Sequence, residues 1–125
     1  METLEQIVAR GLGPEGIVAM VAAFYRRVPA DDLLGPMYPA DDMAGAEERL
    51  ADFLKFRLLG DPVYQFKRGH PRLRMRHMPF SIGVAERDRW MELMVAAMEE
   101  TSVSEEVKEV LVPFFAQIAD FMRNR

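Results

Sequence analysis

The sequence contains no cysteine among its 125 residues. Disulfides, thiolate metal sites and cysteine nucleophiles are therefore excluded, and a reducing compartment is expected. Long hydrophobic runs are also missing: the longest, Ile17 to Tyr25, has nine residues, whereas a membrane-spanning helix needs about twenty. The start of the chain lacks the basic and apolar regions of a secretory signal. We therefore expect no membrane span and a cytoplasmic location.

Excess positive charge is absent as well. The formal net charge is −4 and the isoelectric point is near 5.2, which argues against a protein that coats nucleic acid or an anionic membrane. The sequence has no phosphate-binding glycine loop, no HExxH motif and no nucleophile elbow. Half of the residues are hydrophobic and 29% are charged, so residues 1–125 are predicted to fold as one globular domain.

Helical spacing dominates the apolar pattern. Ile17, Val21, Phe24 and Val28 recur at i, i+4, i+7 and i+11, and no segment alternates with a period of two between hairpin turns. The pattern predicts an all-α protein with an N-terminal helix, four longer helices and short connectors. The predicted start signals are Pro14, Asp41 or Asp42, Pro71 for a short helix through His77, and Ser102 with Glu105 as a capping box.

The last predicted helix has a long apolar face. Its residues recur at helical spacing, which predicts that the face packs into the core. They are Val107, Val110, Leu111, Phe114, Ile118 and Phe121.

The segment "GHPRLRMRHMPF", residues 69–80, contains both histidines and three arginines. On a helix, His77 shares a face with Leu73, and Arg74 and Arg76 flank it. A hydrogen-bonded core histidine, a solvated basic helix and a phosphate or nucleic-acid patch all fit this pattern. Two histidines without thiolates disfavour a zinc site. One imidazole is enough, however, for a metal already held by a porphyrin, whose carboxylates arginine would pair.

Aromatic residues on other predicted elements offer an opposite wall for such a pocket. Tyr25, Tyr38 and Trp90 each carry a hydrogen-bond donor on an apolar ring. Aromatic residues in helical stripes are usually core residues, so each of these also has a purely structural interpretation.

Three stretches together carry a family resemblance: "FYRRV", "MYPADDMAGAEERL" and "RGHPRLRMRHMPFSIGVAERDRW". From about Phe24 to Met98 the chain resembles the truncated haemoglobins of group II, the O-type of the globin superfamily. The resemblance implies a shortened globin fold, a two-over-two helical sandwich around haem. It also implies that His77 is the proximal iron ligand, while His70 matches a position that does not bind iron and is interpreted as a surface or helix-start residue.

The same resemblance implies the rest of the site. Arg76 matches a residue that pairs with a haem propionate, with Tyr64 as a helper. The loops at 11–16 and 56–62 depart from the family pattern. The implied distal ligand-binding residues are Tyr25, Tyr38, Trp90, Ala46 and Leu50. The residues implied to bind the cofactor, haem b (iron protoporphyrin IX), are Phe53, Leu54, Tyr64, Leu73, Arg76, His77, Phe80, Ile82 and Met94.

The resemblance implies a haem protein that binds dioxygen and other diatomic ligands (NO, CO) or peroxide. The hydrogen-bond donors of Tyr25, Tyr38 and Trp90 predict high affinity and slow release. Such a protein is a poor bulk carrier and suits oxygen, nitric oxide or peroxide redox chemistry, with nitric oxide dioxygenase or peroxidase-like activity supported by a reductase. We expect no nucleic-acid partner and a monomer or homodimer. The alternatives are a haem-based sensor, a globin-shaped regulatory binding protein and, from the basic segment, a small nucleic-acid binder.

Overall fold

The computed structural model describes the backbone of residues 1–125 and every side chain except that of Arg74. Along this backbone there are seven α-helices, one 3₁₀ turn and no strand, which confirms the all-α prediction. The helices are α1 (Leu4–Gly11), α2 (Gly13–Arg27), α3 (Met43–Leu59), α4 (Val63–Arg68), α5 (Leu73–His77), α6 (Val84–Glu100) and α7 (Glu105–Met122), and the 3₁₀ turn is Gly35–Met37.

The longer helices pack around a shared core. Helix α2 lies against α3 and α6, while α7 lies against α1 and α6. Burying a large apolar side chain in such a core stabilises the fold by about 1.5–3 kcal/mol. The largest fully buried side chains come from every longer helix: Ile17, Met20, Phe24, Leu54, Leu58, Met94, Met98, Leu111 and Phe115.

Two of the predicted helix starts are confirmed. Helix α2 begins at Gly13, with Pro14 in its first turn, where a missing backbone N–H costs nothing. The Asp42 carboxylate caps α3 by accepting the backbone N–H of Gly45 at 3.2 Å. The same helix ends at Leu59, and the next residue, Gly60, has a left-handed φ of 74°, which favours glycine.

The helix that contains His77 begins later than predicted. It starts at Leu73 and not at Pro71, because Arg72 takes a left-handed conformation with φ 46°. The imidazole Nδ1 of His70 accepts the backbone N–H of Arg72 at 3.1 Å. His70 is exposed just before the helix, as expected for a surface or helix-start residue.

Helix α4 was not predicted. It has only six residues and buries only Tyr64, so the sequence contains no apolar periodicity to reveal it.

The start and the buried face of α7 also differ from the prediction. Ser104 caps the helix by accepting the backbone N–H of Val107 at 3.3 Å, whereas Ser102 lies in a left-handed turn with φ 57°. Phe121 is 57% exposed, so its predicted place in the core is wrong. The residues of α7 that are buried are Val107, Leu111, Phe114, Phe115, Ala119 and Met122.

In the described chain no single helix has the length and apolar character to cross a bilayer. Only the pair α1 and α2, bent by 85° at their junction, reaches that length and composition together.

Candidate functional site

The imidazole of His77 is held in one tautomer. Its Nδ1 lies 2.7 Å from the backbone oxygen of Leu73, one turn earlier in α5. A carbonyl oxygen can only accept a hydrogen bond, so Nδ1 must carry the proton. The neutral ring then has its lone pair on Nε2, which is the form that binds a metal. His77 is half-buried at the end of α5.

Arg76, the residue directly before His77, lies beside Tyr64. The Arg76 guanidinium reaches the Tyr64 hydroxyl at 3.5 Å and the backbone oxygen of Arg68 at 3.3 Å. Arg76 itself is exposed, so its positive charge lies at the surface, one residue before His77. On its inner side the Tyr64 ring packs edge-on against Phe53, with centroids 5.7 Å apart. The prediction that Arg74 flanks His77 falls on a side chain outside the described part of the structure.

The other residues implied to bind the cofactor differ in burial. Leu54 and Met94 lie in the core, and Ile82 is buried in the loop after α5. Leu73 is half-buried against the core, while Phe80 is 40% exposed. Their contact with a cofactor stays a prediction.

A buried carboxylate that the sequence analysis did not single out fastens α4 to α3. Asp52 is 7% exposed and accepts hydrogen bonds from Arg68 at 3.0 Å and Lys67 at 3.4 Å. Burial alone would raise the pKa of the Asp52 carboxyl, but these two cations outweigh burial and hold the pKa below its ordinary value. Arg68 also lies over the Tyr64 ring, 5.5 Å from its centroid. The signal in the sequence that could have revealed Asp52 is the position of an acidic residue within the apolar pattern of α3.

Tyr25, Tyr38 and Trp90 come together in a second group, which we call the distal cluster. The Tyr25 and Tyr38 rings meet edge to face with centroids 5.6 Å apart. Phe24 connects them to the indole, lying 5.2 Å from Tyr25 and 5.4 Å from Trp90. The three predicted donors therefore share one region between α2, the 3₁₀ turn and α6.

Both phenols of the distal cluster keep their protons at neutral pH. Burial raises the pKa of Tyr25 well above its ordinary value, and the nearby Tyr38 adds to the rise. Burial raises the pKa of Tyr38 to about 12, while the nearby N–H of the Trp90 indole opposes the rise. Since the folded state favours the neutral phenol in both cases, each hydroxyl remains a hydrogen-bond donor.

Asp31 joins the connector that carries Tyr38 to the helix that carries Trp90. Its side chain, nearly buried, accepts the backbone N–H groups of Leu33 and Leu34 at 3.0 and 2.9 Å and the Arg89 guanidinium at 2.7 Å. The Leu34 N–H, helped by Arg89, holds the pKa of the Asp31 carboxyl below its ordinary value. Asp31 therefore stays charged and bonded at neutral pH.

Helix α3 contributes Ala46 and Leu50, one turn apart. Ala46 is buried and Leu50 is half-buried against the core. Neither side chain can donate a hydrogen bond, so neither can supply a polar contact to a ligand.

Comparison with known proteins identifies the family. The model of the bacterial-like globin family matches residues 10–124. A group 2 truncated haemoglobin of Bacillus subtilis is 36% identical over 91% of this chain and 86% of its own length. The crystal structure of haemoglobin from Chloroflexus aurantiacus is 41% identical, with a TM-score of 0.88 over 95% of this chain and 98% of its own. The structure of a truncated oxygen-avid haemoglobin from B. subtilis is 34% identical, with a TM-score of 0.87 over 93% and 98%.

These matches define the class as a globin. The chain belongs to the bacterial-like globin family, within the group II truncated haemoglobins. Membership implies haem binding and the binding of diatomic gases, oxygen among them.

The side chains of the site fit a haem. Among the described residues, no three histidine, aspartate or glutamate side chains converge to hold a bare metal ion. A porphyrin supplies four of the ligands and needs only one imidazole from the protein. His77, with Nδ1 committed and Nε2 available, meets that need, and the adjacent Arg76 offers a partner for a carboxylate at the porphyrin edge.

Proposed function

We propose that this chain binds haem b through His77 and holds a small diatomic ligand, dioxygen foremost, under the donors of the distal cluster. The observation that carries the proposal is the fixed tautomer of His77, with Nδ1 bonded to the Leu73 carbonyl. When bound, haem supplies the iron at which a diatomic gas is coordinated. Arg76 and Tyr64 pair with a propionate, and apolar side chains such as Phe53 and Ile82 pack on the ring.

The chain's own contribution to ligand binding is hydrogen bonding. Tyr25 and Tyr38 can donate and accept, whereas Trp90 can only donate. Each hydrogen bond to a charged or strongly polarised acceptor is worth about 1.5–3 kcal/mol, so these donors slow ligand escape. The B. subtilis structure described as oxygen-avid supports the same behaviour in this chain.

A protein that releases its bound ligand slowly is a poor bulk carrier of that ligand. We propose that residues 1–125 form one globin domain that serves oxygen-dependent redox chemistry, with nitric oxide or peroxide as the second reactant and a separate reductase as electron donor. The three polar side chains of the distal cluster support this proposal over that of a globin-shaped regulator, which needs no such donors.

A titration with hemin tests the proposed function. The purified apoprotein should take up about one equivalent and develop a sharp Soret band, and the reduced protein should shift that band with CO and with O2. A chain that stays colourless, or that binds hemin without any response to CO, would contradict the proposal.

Arg76 is expected to retain haem in the site. In Arg76→Ala, haem transfer to a scavenging apoglobin should be about tenfold faster, because about 1.4 kcal/mol of charge-assisted hydrogen bonding is lost. Arg10→Ala, which removes an arginine from α1 where it pairs with Glu2 and Glu106, is the charge-matched control. Equal haem transfer rates in Arg76→Ala and wild type would refute the role.

Ala46 is expected to leave a ligand route open past α3. In Ala46→Leu the larger side chain should slow CO entry by about tenfold, a change of about 1.4 kcal/mol in the barrier. Ala44→Leu, at an exposed position of the same helix, makes the same substitution at a site that should not matter. Flash photolysis measures the entry rate, and no slowing in Ala46→Leu would discard the route.

A further inference from the structure

The residues that follow α7 hold the loop that follows α5. The Asn124 side chain bonds this loop twice: its Nδ2 donates to the Phe80 carbonyl at 2.7 Å, and its Oδ1 accepts the Ile82 N–H at 2.9 Å. Only one orientation of the amide satisfies both bonds. The Asn124 backbone N–H also donates to the Ile82 carbonyl at 2.9 Å. A single residue therefore makes three hydrogen bonds to a loop 42 to 44 positions away in sequence.

We call the hydrogen bonds from Asn124 to Phe80 and Ile82 the clasp. Two neighbouring contacts reinforce it. Arg125 donates through its backbone to the Ile82 carbonyl at 3.2 Å and through its side chain to the Ser81 hydroxyl at 3.1 Å. Arg87 at the start of α6 pairs with Asp120 of α7 at 2.8 Å. The loop between α5 and α6 is thus fixed to the residues that follow α7, and the start of α6 is fixed to α7 itself.

The clasp is connected directly to His77. The Phe80 backbone N–H donates to the His77 carbonyl at 3.0 Å and closes the turn that ends α5. The carbonyl of the same residue, Phe80, accepts the Asn124 side chain. Helix α5 has only five residues, too few to be stable alone. In backbone packing it lies against α7 and no other described helix. Its orientation therefore depends on α7 and on the loop that Asn124 fixes.

We infer that Asn124 is a positioning residue for the proximal ligand: by bonding Phe80 and Ile82 it fixes the end of α5 and so the direction of the His77 imidazole toward haem iron. This inference rests on the proposed function, because it assumes that His77 ligates haem. It concerns the chain's own hydrogen bonds, which can be measured without the cofactor.

The first test uses the apoprotein. In Asn124→Ala, amide hydrogen exchange at Ile82 should be about tenfold faster than in wild type, since the acceptor of its N–H is gone. Asn124→Asp keeps an oxygen for the Ile82 N–H but loses the donor to the Phe80 carbonyl. Ile82 exchange should therefore stay slow in Asn124→Asp, while the turn at Phe80 loosens. Gln117→Ala, which removes an exposed amide from α7, is the matched control.

The second test uses the haem-loaded ferrous protein. The iron–imidazole stretching band in resonance Raman spectra should shift or broaden in Asn124→Ala, be intermediate in Asn124→Asp and be unchanged in Gln117→Ala. Haem release should be about tenfold faster in Asn124→Ala. A merely structural role would lower the melting temperature and leave the band in place, so the band separates positioning from stability.

The outcomes distinguish this inference from the proposed function. If wild type binds haem and Asn124→Ala keeps the wild-type band, the positioning role is overturned, whether or not Ile82 exchange changes. If the band moves while Ile82 exchange is unchanged, the loop is not the route, and the inference fails as well. If wild type binds no haem, the proposed function itself has failed, and the exchange data alone report the clasp.

Discussion

His77→Gly is expected to abolish tight haem binding. The variant removes the only imidazole whose Nε2 is free to ligate, so haem affinity should fall by about a hundredfold or more, equivalent to about 2.8 kcal/mol. The Soret band should be weak and broad after hemin addition. Imidazole added to the solution should restore a sharp band, because the small cavity left by the side chain admits the missing ligand. A spectral titration with and without imidazole measures both effects.

The control for this variant is His70→Ala. It removes the other histidine, an exposed one that accepts the Arg72 N–H, and should leave the Soret band at full strength. Far-UV circular dichroism of both apoproteins checks that the helices persist. An undiminished band in His77→Gly, or equal losses in the two variants, would remove the basis of the proposed function.

Tyr25→Phe is expected to accelerate oxygen release by about 10- to 150-fold, the effect of losing one hydrogen bond worth about 1.5–3 kcal/mol. Trp90→Phe should act in the same direction. Since Tyr25 and Trp90 both contact Phe24, the double variant should show less than the product of the single effects. Stopped-flow mixing of the oxygenated ferrous protein with a scavenger measures the release rate.

The matched control for the distal cluster is Thr101→Val. It deletes a hydroxyl at the end of α6 that bonds the Ala97 carbonyl at 2.8 Å, and it should not alter oxygen release. Because burial raises the pKa of Tyr38 to about 12, the wild-type rate should also be constant through the neutral and mildly alkaline range. Release from Tyr25→Phe at the wild-type rate would show that its hydroxyl does not reach the ligand.

Much of the architecture could be predicted because local signals agree with tertiary packing. The apolar spacing of α2 and the carboxylate cap of α3 both depend on residues that lie close together in sequence. Tyr25 and Trp90 were predicted to share a pocket, and the structure brings their rings together around Phe24. Their contact with a ligand remains a proposal.

The parts that were missed depend on contacts far apart in sequence or on conformations that several residues could adopt. Ser102 and Ser104 both suit a cap, and only the left-handed turn at Ser102 decides for Ser104. The clasp joins Asn124 to Phe80 across 44 positions. Nothing in the sequence around an asparagine near a helix end indicates which distant residue it bonds. Arg72, with φ 46°, occupies a conformation that arginine rarely prefers, so the delayed start of α5 could not be predicted.

Asp31 has a consequence for how the distal donors move. One carboxylate is bonded both to the connector that leads to Tyr38 and to Arg89, the residue directly before Trp90. The bonds to Asp31 therefore restrain the connector from moving away from α6 beside the indole. This restraint helps to keep the Tyr38 phenol and the Trp90 indole close to each other.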